Sequence, residues 1–439
     1  MRLNILRRST RRTHEGAVAS IISPLQELRR SCLSSLLWED TFYESGTDHA
    51  KRIAALIAQC KPADVAALAV EARSRMHLRH LPLFLVRELA RQPGNGTIVA
   101  DTLAQVIQRP DELGEYLAIY WGGATTMTPR QSPLSAGSKR GLARAFAKFG
   151  PSALAKYDRD GGVKLRDVLR LTHAKPKDAD QGALWKKVVA RELETPDTWE
   201  VALSAGAGKR ETFERLLREE RLGTLATLRN LRNMIAARVD PALVKARLAG
   251  KLERALPFRF LAAARHAPMF AADLDAAMLR CIADEPRLGG VTAVVVDVSG
   301  SMDAVLSKKS EMTRVDAAAG LAVLVREIGE TVRVFSFSEQ LVEVPAHRGI
   351  ALSQAITQSQ PHAGTYLGRA VESIARDVPC DRIVVITDEQ SHDRVSAPAA
   401  KGYIINVATY ENGVGYGDWT HINGWSERVV DFIRELEAA

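Results

Sequence analysis

The sequence predicts an all-helical array followed by a parallel α/β unit, and three observations carry that prediction. From Pro24 to about Asp284, apolar residues recur at helical spacing with no strand-like stretch among them. From Gly289 onward, short runs rich in valine and isoleucine alternate with amphipathic stretches, the pattern of a doubly wound sheet. The charge changes sign at the same place. Residues 1–290 hold 47 Lys and Arg against 32 Asp and Glu, whereas residues 291–439 hold 13 against 20.

In the first part, Leu25, Leu28, Leu33, Leu36 and Leu37 form one apolar stripe, and Ile53, Ala54, Leu56 and Ile57 the next. Val65, Leu68, Ala69 and Ala72 make another, and Leu81 to Leu89 continue the series. Breaks at Pro62, Pro82, Pro93-Gly94, Pro110, Pro129 to Gly137, Gly150-Pro151, Gly161-Gly162 and Pro176 mark helix ends joined by short connections. Many helices without an exact repeat period predict stacked helix pairs, an α-solenoid with a concave surface. Residues 1–20, basic and polar, are expected to be loosely ordered. The expected domains are 1–285 and 286–439.

In the second part the strands are read as Val291–Val296, Val332–Phe337, Arg382–Thr387 and Tyr403–Val407, with an edge segment Leu341–Val344. Helices are read over Glu311–Ile328, Leu367–Asp377 and Glu427–Leu436. This alternation predicts a Rossmann-like unit whose ligands sit beyond the carboxyl ends of the strands. Asp297, Ser299 and Ser301 stand at one such end, Gly364-Thr365 precedes a helix, and Asp388 closes a second buried strand. Carboxylates and hydroxyls in a glycine-containing loop suit a hard divalent cation with oxygen ligands, above all magnesium. Taken alone, the serines read equally well as turn or cap residues. The order Asp-x-Ser-x-Ser, Thr, Asp resembles the metal-ion-dependent adhesion site of von Willebrand factor A domains. No histidine or glutamate stands in a metalloprotease or nuclease arrangement, and Asp303, Glu389 and Asp393 form no pattern that requires a general base, so no catalysis is expected.

The excess positive charge belongs to the helical part and points to an anionic partner there, with a solvated cationic surface as the alternative. Lys139, Arg140, Arg144 and Lys148 fall at helical spacings and put positive charge on one face. Each phosphate contact of such a face adds affinity and salt dependence. His173 lies at a helix end stopped by Pro176, which suits a cap as well as a contact. Trp38, Phe42 and Tyr43 read as core, and Arg229 and Asn230 as lining or bracing residues. Cys32, Cys60, Cys281 and Cys380 are scattered without a Cys-x-x-Cys, which suits a reducing cytoplasm. The basic start, Met1 to Arg12, is followed by no apolar signal core, and no apolar run approaches the roughly 20 residues of a membrane span.

Several segments are similar to the TROVE-domain family. They are Leu37-Trp38-Glu39-Asp40-Thr41-Phe42-Tyr43-Glu44, Glu71-Ala72-Arg73 with Leu78-Arg79-His80-Leu81-Pro82, and Lys156-Tyr157. Leu165 to Pro176, Leu225-Ala226-Thr227-Leu228-Arg229-Asn230-Leu231 and Phe258-Arg259-Phe260-Leu261 follow in order. The resemblance covers nearly the whole chain. It implies HEAT-like helical repeats closed into a ring, joined by a von Willebrand factor A-like domain. It further implies binding of small noncoding Y RNAs on the outer basic surface, with His173 and Lys175 in that surface and Lys156 nearby. Single-stranded 3′ ends of misfolded RNA are expected in the hole, with an exoribonuclease or other protein as a partner. The chain is shorter than the animal members, with compact loops. A metal-dependent protein-interaction adaptor acting through the A-like domain is the alternative.

Overall fold

The computed structural model describes residues 11–19, 21–33, 45–122, 133–158, 162–194, 197–204, 206, 208–252, 255, 257–306, 310–408, 412–424 and 428–438. Trp38, Phe42 and Tyr43 lie outside the described residues. Two compact units are present, one made of residues 24–37 and 48–206, the other of residues 1–23, 38–47 and 207–439. Compactness thus groups the helices between Lys209 and Ala283 with the sheet.

The first unit is helical throughout its described residues. Its helices begin where the sequence supplies starts. Pro62 and Pro151 occupy first-turn positions, and the Ser135 and Asp178 side chains accept from the backbone N–H groups of Ser138 and Gln181. The apolar stripes close on one core that runs from Leu28 through Leu83, Leu103 and Phe146 to Val188. The tightest helix pair is Gly96–Val106 against Ala136–Phe146. A Cβ at Gly137 would stand 2.6 Å from the Gly96 carbonyl oxygen, and one at Gly141 would stand 2.8 Å from Leu103 Cβ. The two glycines therefore let these backbones approach more closely than any side chain would allow.

A buried ion pair fastens three helices of this unit. Arg73, on Pro62–Ser74, donates to Glu112 at 2.6 Å and to the Val106 carbonyl at 3.1 Å. Glu112, on Asp111–Trp121, is fully buried and also accepts from the N–H groups of Gln108 and Arg109 at 2.7 and 3.1 Å. Burial raises the Glu112 carboxyl and lowers the Arg73 guanidinium, and the opposite charge of each partner works against that shift. Glu112→Ala leaves Arg73 without its carboxylate, and the expected cost is about 3–5 kcal/mol, read as a lowered urea midpoint for this helical unit.

The second unit holds a six-stranded sheet. Its strands are β1 Leu288–Asp297, β2 Gly329–Phe337, β3 Leu341–Glu343, β4 Arg382–Thr387, β5 Lys401–Asn406 and β6 Thr420–Asn423. They lie in the order β3-β2-β1-β4-β5-β6, and every neighbouring pair is parallel except β2–β3. The chain leaves β1 to one side for β2 and returns to its other side for β4. The switch point of the sheet therefore lies between β1 and β4. Ala293, Val295, Ile383, Val385 and Ile404 share a core with Leu367, Ala370 and Ile374 of the helix Leu367–Asp377. The helix Arg314–Ile328 packs on β1 and β2 and is buried along most of its length.

Three sequence expectations change. The first helix of the sheet region begins at Arg314 rather than Glu311, because Thr313 and Asp316 form a reciprocal capping box there. A helix at Gly349–Thr357 and strand β6 were not anticipated. Residues 11–19 are not loose: Arg12 bridges Val18, and Ala17 and Ala19 are buried.

Candidate metal centre and cationic faces

At the β1–β4 switch point the chain turns out of both strands through acidic residues. Asp297 ends β1 and Asp388 follows β4, and both are fully buried, as is Ser299. One Asp297 oxygen accepts from Ser299 N–H at 2.9 Å, and the other from the Thr387 hydroxyl at 2.6 Å. The Ser301 hydroxyl donates to Asp388 at 2.7 Å, and the Ser299 and Ser301 oxygens lie 3.4 Å apart. Burial first, and then the charge of Asp388, push the Asp297 carboxyl well above the usual carboxylate range. The bonds from Ser299 and Thr387 pull it back.

The loop carrying Thr365 is tied to the same place. Gly300 N–H donates to the Ala363 carbonyl at 3.0 Å. The Ser338 hydroxyl, just past β2, accepts from Ala363 N–H at 2.9 Å and donates to the Gly364 carbonyl at 3.0 Å. Thr365 is buried, and its N–H faces His392 Nδ1 at 3.1 Å. His392 in turn pairs with Glu15 at 3.1 Å. The turn of residues 11–19 adds two further bonds to the loop after β4. The Thr13 hydroxyl donates to the Ser391 carbonyl, and His14 N–H donates to the Gln390 side chain, each at 2.8 Å.

The structure thus brings Asp297, Ser299, Ser301 and Asp388 together, with the loop of Thr365 bonded against them. Two mutually repelling buried carboxylates beside hydroxyls form a donor set that fits a hard divalent cation. Among the described residues no cluster of three or more His, Cys, Asp or Glu has the geometry to hold a metal. The set described here relies on hydroxyl oxygens for the remainder. Sequence reasoning passed over Thr387, although it sits immediately before Asp388, and it passed over Arg314. The Arg314 guanidinium is buried 3.7 Å from Asp388 and donates to the Ser301 carbonyl at 3.5 Å.

The cationic residues of the helical unit fall into two groups. Arg140, Arg144 and Lys148 line one face of Ala136–Phe146 and its end, and that face runs along Gly96–Val106. Arg140 donates to the Gly96 carbonyl at 3.2 Å, Arg144 pairs with Asp101, and Lys148 bonds the carbonyls of Ala104 and Ile107. Burial lowers the Lys148 ammonium. These side chains brace a neighbouring helix, which spacing alone does not reveal. Lys139, on the same helix, is half-buried.

The second group is more open. His173 caps the helix Leu165–Thr172 in a left-handed conformation, φ 51°, and both it and Lys175 are exposed. Lys156 borders a cleft of about 520 Å³, lined also by Arg79, Arg109, Tyr157, Asp111 and Glu115. Arg109 lies 4.9 Å above the Tyr157 ring and bonds Asp111 at 2.8 Å, while Arg79 bonds Glu115 at 2.8 Å. Sequence reading did not join Arg79 and Arg109 at one cleft, because they come from connections distant in the chain. No described helix is long and apolar enough to cross a membrane.

Comparison with known proteins places this architecture. Residues 190–284 match the family model described as the TROVE domain. No curated protein matches the chain by sequence. Among solved structures, the RO (RSR) protein of Deinococcus radiodurans is similar over 92% of this chain and 97% of that one, with a TM-score of 0.56 at 19% identity. Residues 190–284 are thus similar to the TROVE domain, and the chain has the fold of that bacterial Ro protein along almost its full length.

Proposed function

We propose that this chain is a non-catalytic RNA-binding protein acting in RNA quality control or turnover. The observation that carries the reading is the Ro fold together with the concentration of Lys and Arg in the helical residues. A small Y-like RNA is taken on the basic helical surface through phosphate contacts, and single-stranded 3′ ends of misfolded RNA enter the hole of a ring of repeats. His173, Lys175 and Lys156 are the favoured contacts. Lys139, Arg140 and Arg144 contribute at the price of weaker bracing, and Lys148 is the most committed to its own fold. An exoribonuclease or another protein, engaged through the A-like domain, is the expected protein partner, in the cytoplasm.

The A-like part holds magnesium with Asp297, Ser299, Ser301, Thr365 and Asp388. When bound, the ion supplies an open position for an oxygen ligand of a partner. This supports the second reading, a metal-dependent adaptor, because two buried carboxylates at a switch point are a costly arrangement for a merely structural loop.

Two outcomes are expected. RNA recovered with the protein at low salt is one recurrent small species, and its binding weakens steeply as salt rises. The double variant His173→Ser with Lys175→Ala shallows the log–log salt slope by roughly 0.7–0.9 for each phosphate it no longer neutralises. Random fragments, or clean protein that binds no added RNA in a filter assay, contradict this. Separately, millimolar magnesium raises the melting temperature of the wild type but not of Asp297→Asn. Without metal, Asp297→Asn is at least as stable as the wild type, because the substitution removes a buried charge. Equal magnesium responses in a thermal melt would reject the metal centre.

A further inference from the structure

Gln390 is fully buried two residues past Asp388, and its side-chain amide is bonded on every side. Its oxygen accepts from His14 N–H at 2.8 Å, and its nitrogen donates to the carbonyls of Asp388 at 3.2 Å and Asn412 at 2.8 Å. The main-chain N–H of Gln390 also donates to the Asp388 carboxylate at 3.2 Å. Gln390 therefore grips Asp388 twice, and the turn of residues 11–19 grips Gln390. A parallel line runs from the same turn to Thr365. Glu15 pairs with His392 at 3.1 Å, and His392 N–H donates to the Thr365 carbonyl at 2.8 Å. Between the two lines, the Thr13 hydroxyl holds the Ser391 carbonyl at 2.8 Å, and the Ser391 hydroxyl lies 3.3 Å from the Thr365 carbonyl.

The loop after β4 needs such support. Glu389 stands at φ 62°, a left-handed conformation that a residue other than glycine keeps only when its surroundings impose it. The bonds from the turn fall on the three residues that follow it. The turn is itself a closed piece. Arg12 bridges Val18, Thr13 N–H donates to the Ala17 carbonyl at 2.9 Å, and Ala17 joins the core that holds Leu367 and Val385.

We infer that Gln390 is a positioning residue of the metal centre and that the turn of residues 11–19 is the clasp that holds it. A segment preceding the whole helical region thereby sets how tightly Asp388 and Thr365 hold a cation. The inference rests on the metal reading given above. Magnesium tolerates little departure from octahedral oxygen geometry, so drift of either loop is felt as lost affinity. Neither Gln390 nor the turn touches the ion; both act by fixing residues that do.

The test follows Mn²⁺ binding to the full-length protein by electron paramagnetic resonance of the free ion. Hydrogen–deuterium exchange of the metal-free protein, read by mass spectrometry, accompanies it. Gln390→Met, which has a similar volume and loses the amide's hydrogen bonds, is expected to bind Mn²⁺ about 10–100-fold more weakly than the wild type. Thr13→Val with Glu15→Ala is expected to cost about ten-fold. Because both changes break one line of contact, the triple variant loses less than the product of the two. Exchange quickens over residues 363–366 and 388–393 in each variant, while the helix Gly96–Val106 of the other unit keeps its wild-type rate. Should Thr13→Val with Glu15→Ala fail to fold in a thermal melt, Thr13→Val alone takes its place. Wild-type Mn²⁺ affinity in folded Gln390→Met overturns the positioning role. Losses that multiply in full overturn the link between the turn and Gln390. If the wild type binds no Mn²⁺, the metal reading fails, and exchange alone decides on the clasp: faster rates in the two loops support it, and unchanged rates overturn it.

Discussion

Burying Asp297 and Asp388 next to one another carries a desolvation cost of several kcal/mol for each ion, before any compensation. The surrounding structure supplies that compensation piece by piece. Thr387 and the Ser299 N–H take the lone pairs of Asp297, and Ser301 takes one from Asp388. Arg314 approaches from the helix that crosses behind β1, and Ser338 fastens the Thr365 loop. These residues come from the loop after β1, the ends of β2 and β4, and the start of the helix Arg314–Ile328. The centre exists only because the sheet reverses its strand order between β1 and β4 and so leaves a gap there.

The helical unit solves a different problem, that of keeping many short helices in register. Close backbone approach at Gly137 and Gly141 brings two of them into direct contact. The Arg73–Glu112 pair and the bonds from Arg140 and Lys148 attach helix ends to neighbours. Much of the positive charge that gives the chain its high isoelectric point is therefore spoken for within the fold. His173 and Lys175 are exposed where a helix ends, and Lys156 borders the cleft that Arg79 and Arg109 also line.

How legible this was depends on the kind of signal. The strands β1, β4 and β5 are apolar runs too short and too β-branched for helices, and the acidic ends of β1 and β4 could be read directly. The helix Gly349–Thr357 lacks a clear polar face, and β6 has four residues, so neither rises above its surroundings. The capping box at Thr313 and Asp316 was present in the sequence and overlooked. Arg314 and Thr387 could not be assigned, because their roles arise from contacts across 74 and 90 residues. The face of Arg140, Arg144 and Lys148 was legible as a face. Which neighbour lay against it was not, since helical spacing carries no information about the next helix.

The turn of residues 11–19 is set against the loop after β4, with Thr13 and Ser391 separated by 378 positions. On the ribosome, the earliest of these residues emerges long before its binding place has been made. The unit containing the sheet can close only once its strands have emerged, after the helices of the other unit have had time to form. An excised fragment starting near Leu288 would lack Ala17 from its apolar core and Glu15 from its pairing with His392. Residues 11–19 thus wait for the sheet-bearing unit they belong to, and deleting them is felt at the carboxyl ends of the strands.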